Sequence, residues 1–177
     1  MKTLILLLTL TVLVSGKKQM SYPVPPDSPV RLFYIQHSRN TNTYVYDANL
    51  KGKSFDTAEP VNVYRIMYAE DGKKAPLTAI QRKLAYGLSA KALGNNKYEC
   101  NLAALPSKKL MLRLDSHGKP QVTVNCNGRD MVLTRLFIKN ANDANPLKTE
   151  VQYVDFTGRH PKTGIEIKER FYPENSK

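Results

Sequence analysis

The densest group of side chains able to do chemistry in this chain lies within Arg31–Ala48, RLFYIQHSRNTNTYVYDA. Arg39 offers a planar guanidinium fork suited to carboxylate, sulfate or phosphate. Asn40 and Asn42 can each donate and accept hydrogen bonds, and His37 stands just ahead of them. A second polar group, Gln81, Arg82 and Tyr86, follows further along the chain. These seven residues are the candidate ligand contacts. A structural reading competes with that one. Asparagines in turns commonly satisfy their own loop, and Gln81 and Arg82 can equally tie a helix to a sheet.

Catalysis finds less support. A nucleophile needs a base within hydrogen-bond reach and a third group to orient that base. Ser38 neighbours His37, but adjacent strand residues point to opposite faces. The chain has no G-x-S-x-G, no G-x-x-x-x-G-K-[ST] and no H-E-x-x-H. Glycoside hydrolysis needs two facing carboxylates about 5–10 Å apart. Asp47 and Glu59 lie at a strand end and in a connector, Glu166 and Glu169 on opposite faces of one strand, and Asp130 and Asp155 lack an evident partner. No catalytic residue is selected. His117 and His160 read as exposed turn residues.

Cys100 and Cys126 are the only cysteines. Without C-x-x-C or H-x-x-x-H spacing they do not make a zinc site, and no metal or cofactor is implied. In an exported protein they are candidates for a disulfide worth about 3–4 kcal/mol. In a simple meander of strands near 98–104, 109–115 and 120–126 they would stand two strands apart, about 9–10 Å. That exceeds the ~7 Å over which Cα atoms can be bridged. The bond can form only if the sheet folds over or the strand order is not sequential, so the sequence leaves it open.

The elements that must position these groups read as mainly β. Residues 17–30 (KKQMSYPVPPDSPV) are proline-rich, which removes backbone donors and predicts an exposed, extended lead-in. Arg31–Ala48 predicts an antiparallel hairpin with the polar tip Ser38–Asn42. Val61–Tyr68 is apolar on both faces, as a central strand would be. Pro76–Leu84 predicts the one helix: proline suits a first turn, Leu77, Ile80 and Leu84 form a buried stripe, and Gly87 is the stop. Beyond Leu88 alternation continues, and Asn127-Gly128 is the strongest two-residue hairpin signal because both residues tolerate positive φ. That turn predicts Val124 opposite Met131, with a bulge near Thr134-Arg135. About nine or ten short strands with one helix (76–84) predict an antiparallel β-sandwich or barrel over 31–172, followed by a frayed tail, 173–177.

The address is written at the start. Lys2 precedes an apolar run, Leu4–Val14, then Ser15-Gly16. This is the pattern of a secretory signal peptide spanning 1–16, and the run is too short to span a ~30 Å hydrocarbon core. No later stretch is apolar enough to do so. Loss of Lys2 takes the formal charge from +12 to +11. The bases are scattered in ones and twos, with no basic helix or repeated cationic stripe. They predict a solvated basic surface with some affinity for anionic envelope components, and no nucleic-acid partner.

Three runs carry a family resemblance: Phe33–Thr43 (FYIQHSRNTNT), Pro60–Tyr64 (PVNVY) and Ile80–Gly87 (IQRKLAYG). Over about residues 31–172 the chain resembles an uncharacterised bacterial family, domain of unknown function 4833. The resemblance implies an exported protein and brings no catalytic residues. Where that pattern carries an aromatic after Val-x-Val-Tyr, this chain has Arg65. The expectation is a monomeric, exported β-domain protein, periplasmic or secreted, that binds a small ligand or an envelope component without catalysis. A hydrolase acting on an envelope glycan, or a purely structural or adhesive envelope protein, are the alternatives.

Overall fold

The computed structural model describes residues 22–142 and 150–173. The expected signal peptide, the first residues of the lead-in and the end of the tail lie outside the described residues. The opening hairpin is present, formed by β1 (Arg31–His37) and β2 (Asn40–Ala48). His37 pairs with Asn40, so the loop is only Ser38-Arg39. The tip is shorter than expected, and Asn40 and Asn42 belong to β2. The register slips on the way to the tip: Ile35 pairs with Tyr44 and His37 with Asn40, so β2 carries two extra residues there and a bulge brings Asn40 opposite His37.

The connector after Ala48, in which Glu59 lies, holds a small hairpin, β3 (Leu50–Lys51) and β4 (Ser54–Phe55). It buries Phe55 edge-on against Tyr98, ring centroids 5.7 Å apart. β5 (Val61–Met67) pairs with β2, and β6 (Lys73–Pro76) closes that side as the edge strand. β5 is therefore next to the edge rather than central. Its second face is occupied by a polar cluster: Tyr64 donates to Asp47 Oδ2 at 2.9 Å, while Arg31 Nε meets Asp47 Oδ1 at 2.5 Å.

The helix differs from expectation in place and in orientation. Pro76 stays in β6, opposite Tyr64. Thr78 is the N-cap of α1 (Ala79–Gln81), which runs on as a π-helical turn, Arg82–Tyr86. Thr78 Oγ1 accepts from Gln81 N at 3.2 Å, and Gln81 Oε1 accepts from Thr78 N at 3.1 Å. This reciprocal capping box satisfies two orphan donors and outweighs the preference of proline for a first turn. With the start moved, Leu77 is buried ahead of the helix, but Ile80 and Leu84 are 72% and 65% exposed. The expected buried stripe is replaced by Tyr86, which packs against the core. The helix ends at Gly87, whose backbone is extended, and glycine is needed there because a Cβ would run into the Arg82 carbonyl oxygen.

Beyond Gly87 the described residues form strands and their connections. β7 (Leu88–Gly94), β8 (Lys97–Leu102), β9 (Leu105–Leu114) and β10 (Pro120–Cys126) form a sequential antiparallel meander. Asn127 and Gly128, at φ +52° and +80°, turn it into β11 (Arg129–Asn140), with Val124 opposite Met131 as the sequence predicts. The predicted bulge falls between Leu133 and Arg135. β12 (Val151–Arg159) and β13 (Glu166–Phe171) follow.

β11 organises the whole sheet. Its residues 132–140 pair with β12 along one edge. The opposite edge serves two strands in succession: β10 takes residues 129–132, and β1 takes 135–138 in a parallel register with Tyr34 opposite Arg135. The sheet is thus antiparallel except at this one pairing. Among the described residues eleven strands join it, in the path β6-β5-β2-β1-β11-β10-β9-β8-β7 with β12 and β13 branching from β11. The sheet curls as a β-sandwich or half-barrel. Phe33, Ile35 and Tyr46 of one wing and Leu110, Leu112, Val122 and Val124 of the other share a single core. Each such side chain contributes about 1.5–3 kcal/mol by leaving water.

The described part of the lead-in, residues 22–30, forms no helix or strand, yet it is held to the sheet. Buried Gln36 donates to the Pro23 carbonyl at 2.8 Å and to Thr43 Oγ1 at 3.0 Å. Pro25 is buried, so the segment is less exposed than its composition predicts.

Candidate functional site

The β1–β2 loop, the helix and the end of β11 enclose a groove of about 810 Å³. His37, Arg39 and Asn40 supply its polar end, with Asn140 beside them. Ile80, Gln81, Leu84 and Tyr86 line the helical side. Ala104, Ile138 and Val151 make the apolar wall.

Two neighbours lock the loop in place. Ser38 N donates to the Ile138 carbonyl at 3.0 Å, and Ser38 Oγ accepts from Asn140 N at 3.0 Å. Ser38 is thereby held against β11. Arg39, the other loop residue, is half-buried at the groove.

Aromatic stacking fixes the floor. Tyr44 of β2 and Tyr86 of the helix lie nearly parallel, 12° apart in plane with centroids at 3.4 Å. The His37 ring sits 6.0 Å from Tyr44 and 6.4 Å from Tyr86. Beneath them Tyr46, wholly buried, donates its hydroxyl to the Tyr86 carbonyl at 2.6 Å. Gln81 Nε2 donates to Tyr44 Oη at 3.4 Å, so the residue that caps the helix also ties it to the floor. Burial raises the pKa of both Tyr44 and Tyr86, and the charge of Arg39 opposes the shift at Tyr86. Both phenols remain protonated at neutral pH, and their hydroxyls are hydrogen-bonded to each other. The π turn is what brings Tyr86 onto Tyr44; such turns recur at functional sites.

Five of the seven candidates, His37, Arg39, Asn40, Gln81 and Tyr86, meet at this groove. Asn42 and Arg82 do not line it. Asn42 is half-buried, and its backbone N–H donates to Asn40 Oδ1 at 2.9 Å, a bond within the strand's own backbone region. Arg82 is exposed and lines a separate cleft of about 230 Å³ beside Gly87. Sequence reasoning missed Tyr44 and Asn140. Tyr44 carried a local signal, since alternation places it on the same face as Tyr46. Asn140 carried none, because it reaches the loop across 102 positions of chain.

Elsewhere the candidates are occupied structurally. His160 is half-buried, and its Nδ1 accepts from Lys162 N and Thr163 N at 3.3 and 3.2 Å. Asp155, read as lacking a partner, binds Arg170 through both oxygens at 2.6 and 3.0 Å. Asp130 accepts from Asn125 at 2.7 Å. Cys100 and Cys126 are separate, buried thiols on β8 and β10, with β9 between them. Burial pushes the Cys100 thiol up to about 12 and raises that of Cys126. Among the described residues no group of three His, Cys, Asp or Glu could hold a metal, and no helix is long and apolar enough to cross a membrane.

A family model described as Domain of unknown function (DUF4833) matches residues 33–170. Searches of curated proteins and of solved structures found no match.

Proposed function

Starting from a chain that belongs to this family, whose description carries no activity, we propose that the protein is a non-enzymatic binder of a small ligand or envelope component. The groove between the first hairpin and the helix is the binding site. One observation carries the reading. Residues distant in sequence converge on a single concave site of about 810 Å³, within the roughly 300–1,000 Å³ range of ligand pockets. Polar donors gather at one end of it and apolar side chains line the rest, the combination that orients and then retains a ligand. A hydrolase of envelope glycans needs facing carboxylates, and none of the described lining residues is Asp or Glu. A purely structural role leaves the groove without use.

The protein acts outside the cytoplasm, in the periplasm or beyond, as a monomer. The lysine-led apolar run of residues 1–16 supports export. N-terminal sequencing of the protein recovered from outside the cytoplasm is expected to begin at Lys17. An intact Met1 on protein retained in the cytoplasm would overturn that part.

The binding reading is tested with the purified protein, incubated with envelope lipid and polysaccharide extracts and examined by native mass spectrometry. A bound species is expected, lost in Arg39→Ala combined with Asn40→Ala at an unchanged melting temperature. Equal retention by the variant, or no bound species at all, would overturn it.

A further inference from the structure

The groove does not end at its apolar wall. Ala104, Ile138 and Val151 also line a second hollow of about 440 Å³, which continues past them to Leu105, Val154 and Pro173. The two hollows form one trough with a polar head and a long apolar run. Charge is distributed along it in one sense. Arg39 is the only charged residue among the described residues lining the first hollow, while Glu150 stands at the second. A ligand with one anionic end is therefore drawn to the Arg39 end, and a second anion at the far end would meet a carboxylate. Arg39 suits an anion by geometry as well as by sign, since its fork accepts two oxygens at once. Around it the amides of Asn40 and Gln81 offer further donors. Ile80 and Leu84 stand exposed on the helical rim, placed to cover a chain lying in the trough.

We propose that the trough takes a single-chain amphiphile with one anionic head group, the head at Arg39 and the chain laid across Ala104, Ile138 and Val151 into the second hollow. This rests on the groove being the ligand site, and it names what the ligand is. Affinity should then depend on two separable features of the ligand, head charge and chain length. Each added methylene should tighten binding about threefold to fourfold until the trough is full.

Titration calorimetry below the micellar limit tests this with octanoate, decanoate, dodecanoate, dodecyl phosphate and dodecanol. The carboxylate series is expected to tighten with length, and dodecanol to bind at least about tenfold more weakly than dodecanoate. The dodecanoate and dodecyl phosphate arms separate a fatty-acid-like head from a phosphate head, and tighter binding of either supports the proposal. Arg39→Gln should abolish the preference for an anionic head and keep the length dependence. Ala104→Trp, at an exposed position where the two hollows join, should abolish the length dependence and keep the head preference. Val151→Trp gives the same block should Ala104→Trp fail to fold. Affinity independent of chain length, equal binding of dodecanol, or insensitivity to both kinds of variant would overturn the proposal. If the extract experiment finds an Arg39-dependent ligand while no member of this series binds, the ligand class falls and the binding site stands. If neither finds binding, both fall.

Discussion

Replacing Tyr46 with phenylalanine removes one oxygen from a wholly buried side chain. The ring keeps its place, because it stacks on Phe33 at 4.3 Å and 10°, and no cavity larger than a hydroxyl is left. The bond lost is the one to the Tyr86 carbonyl at 2.6 Å, at the last residue of the helix, where carbonyls have no partner within the helix. A net hydrogen bond is worth about 1 kcal/mol, and a stranded buried acceptor costs about 1–3 kcal/mol. Tyr46→Phe should therefore destabilise by about 2 kcal/mol, lowering the melting temperature by about 4–8 °C in a domain of this size. The loss should be felt locally as well. Hydrogen exchange followed by mass spectrometry should show faster exchange through Ala79–Tyr86, with the β8–β10 meander unchanged up to the global limit. Because the same tether holds Tyr86 on Tyr44, ligand affinity at the groove should fall with it. A melting temperature within about 1 °C of the parent, with unaltered exchange in the helix, would refute the view that this hydroxyl anchors the helical side of the groove.

Three further outcomes follow from the same structure. Gly87→Ala should cost about 1–3 kcal/mol or more, since the new methyl meets backbone at Arg82 rather than a side chain that can swing away; a thermal melt equal to that of the parent would show that the helix end can shift freely. Burial raises the pKa of Tyr44, Tyr46 and Tyr86 above the ordinary value of 10.0. Such a group is harder to ionise folded than unfolded, so its stabilising share is intact below pH 10 and is lost as pH rises beyond it. Melting temperatures should hold to about pH 10 and fall steeply above it, while the tyrosinate absorbance of the native protein, titrated without denaturant, lags behind that of the unfolded chain; a flat profile to about pH 12 would contradict the burial. Cys100 and Cys126 should resist a thiol reagent in the native state and react once the protein is unfolded, and reductant should leave the melting temperature unchanged; a reductant-dependent fall of several degrees would reveal a bridge.

What could be read ahead of the structure was local. The Asn127-Gly128 turn, the alternation of β10 and the slip of apolar positions after Leu133 each reflect the backbone and side chains of a few neighbouring residues, and each holds in the fold. The helix shows where local signals compete. Pro76 and the Leu77, Ile80, Leu84 spacing favoured one start, and the Thr78/Gln81 pair, equally visible in the sequence, dictated another. The reciprocal hydrogen bonds won because they satisfy groups that proline at the first turn leaves open.

Chemical character was also legible in the sequence. Residue type alone marked His37, Arg39, Asn40, Gln81 and Tyr86 as able to hold a ligand. Type could not say which of them line one groove, and Asn42 and Arg82 lie outside it. That grouping depends on the parallel pairing of β1 with β11, between residues about a hundred positions apart, and on the tether from Tyr46 to the helix end. A parallel pairing leaves no turn motif, since its connection is long and its register is set by what each strand buries. Sequence by itself therefore determined the strands, the turns and the donors. Tertiary structure alone decided that a loop from one end of the chain, a helix from the middle and the end of β11 enclose one trough, because contacts between distant residues are set by the packing of the whole core.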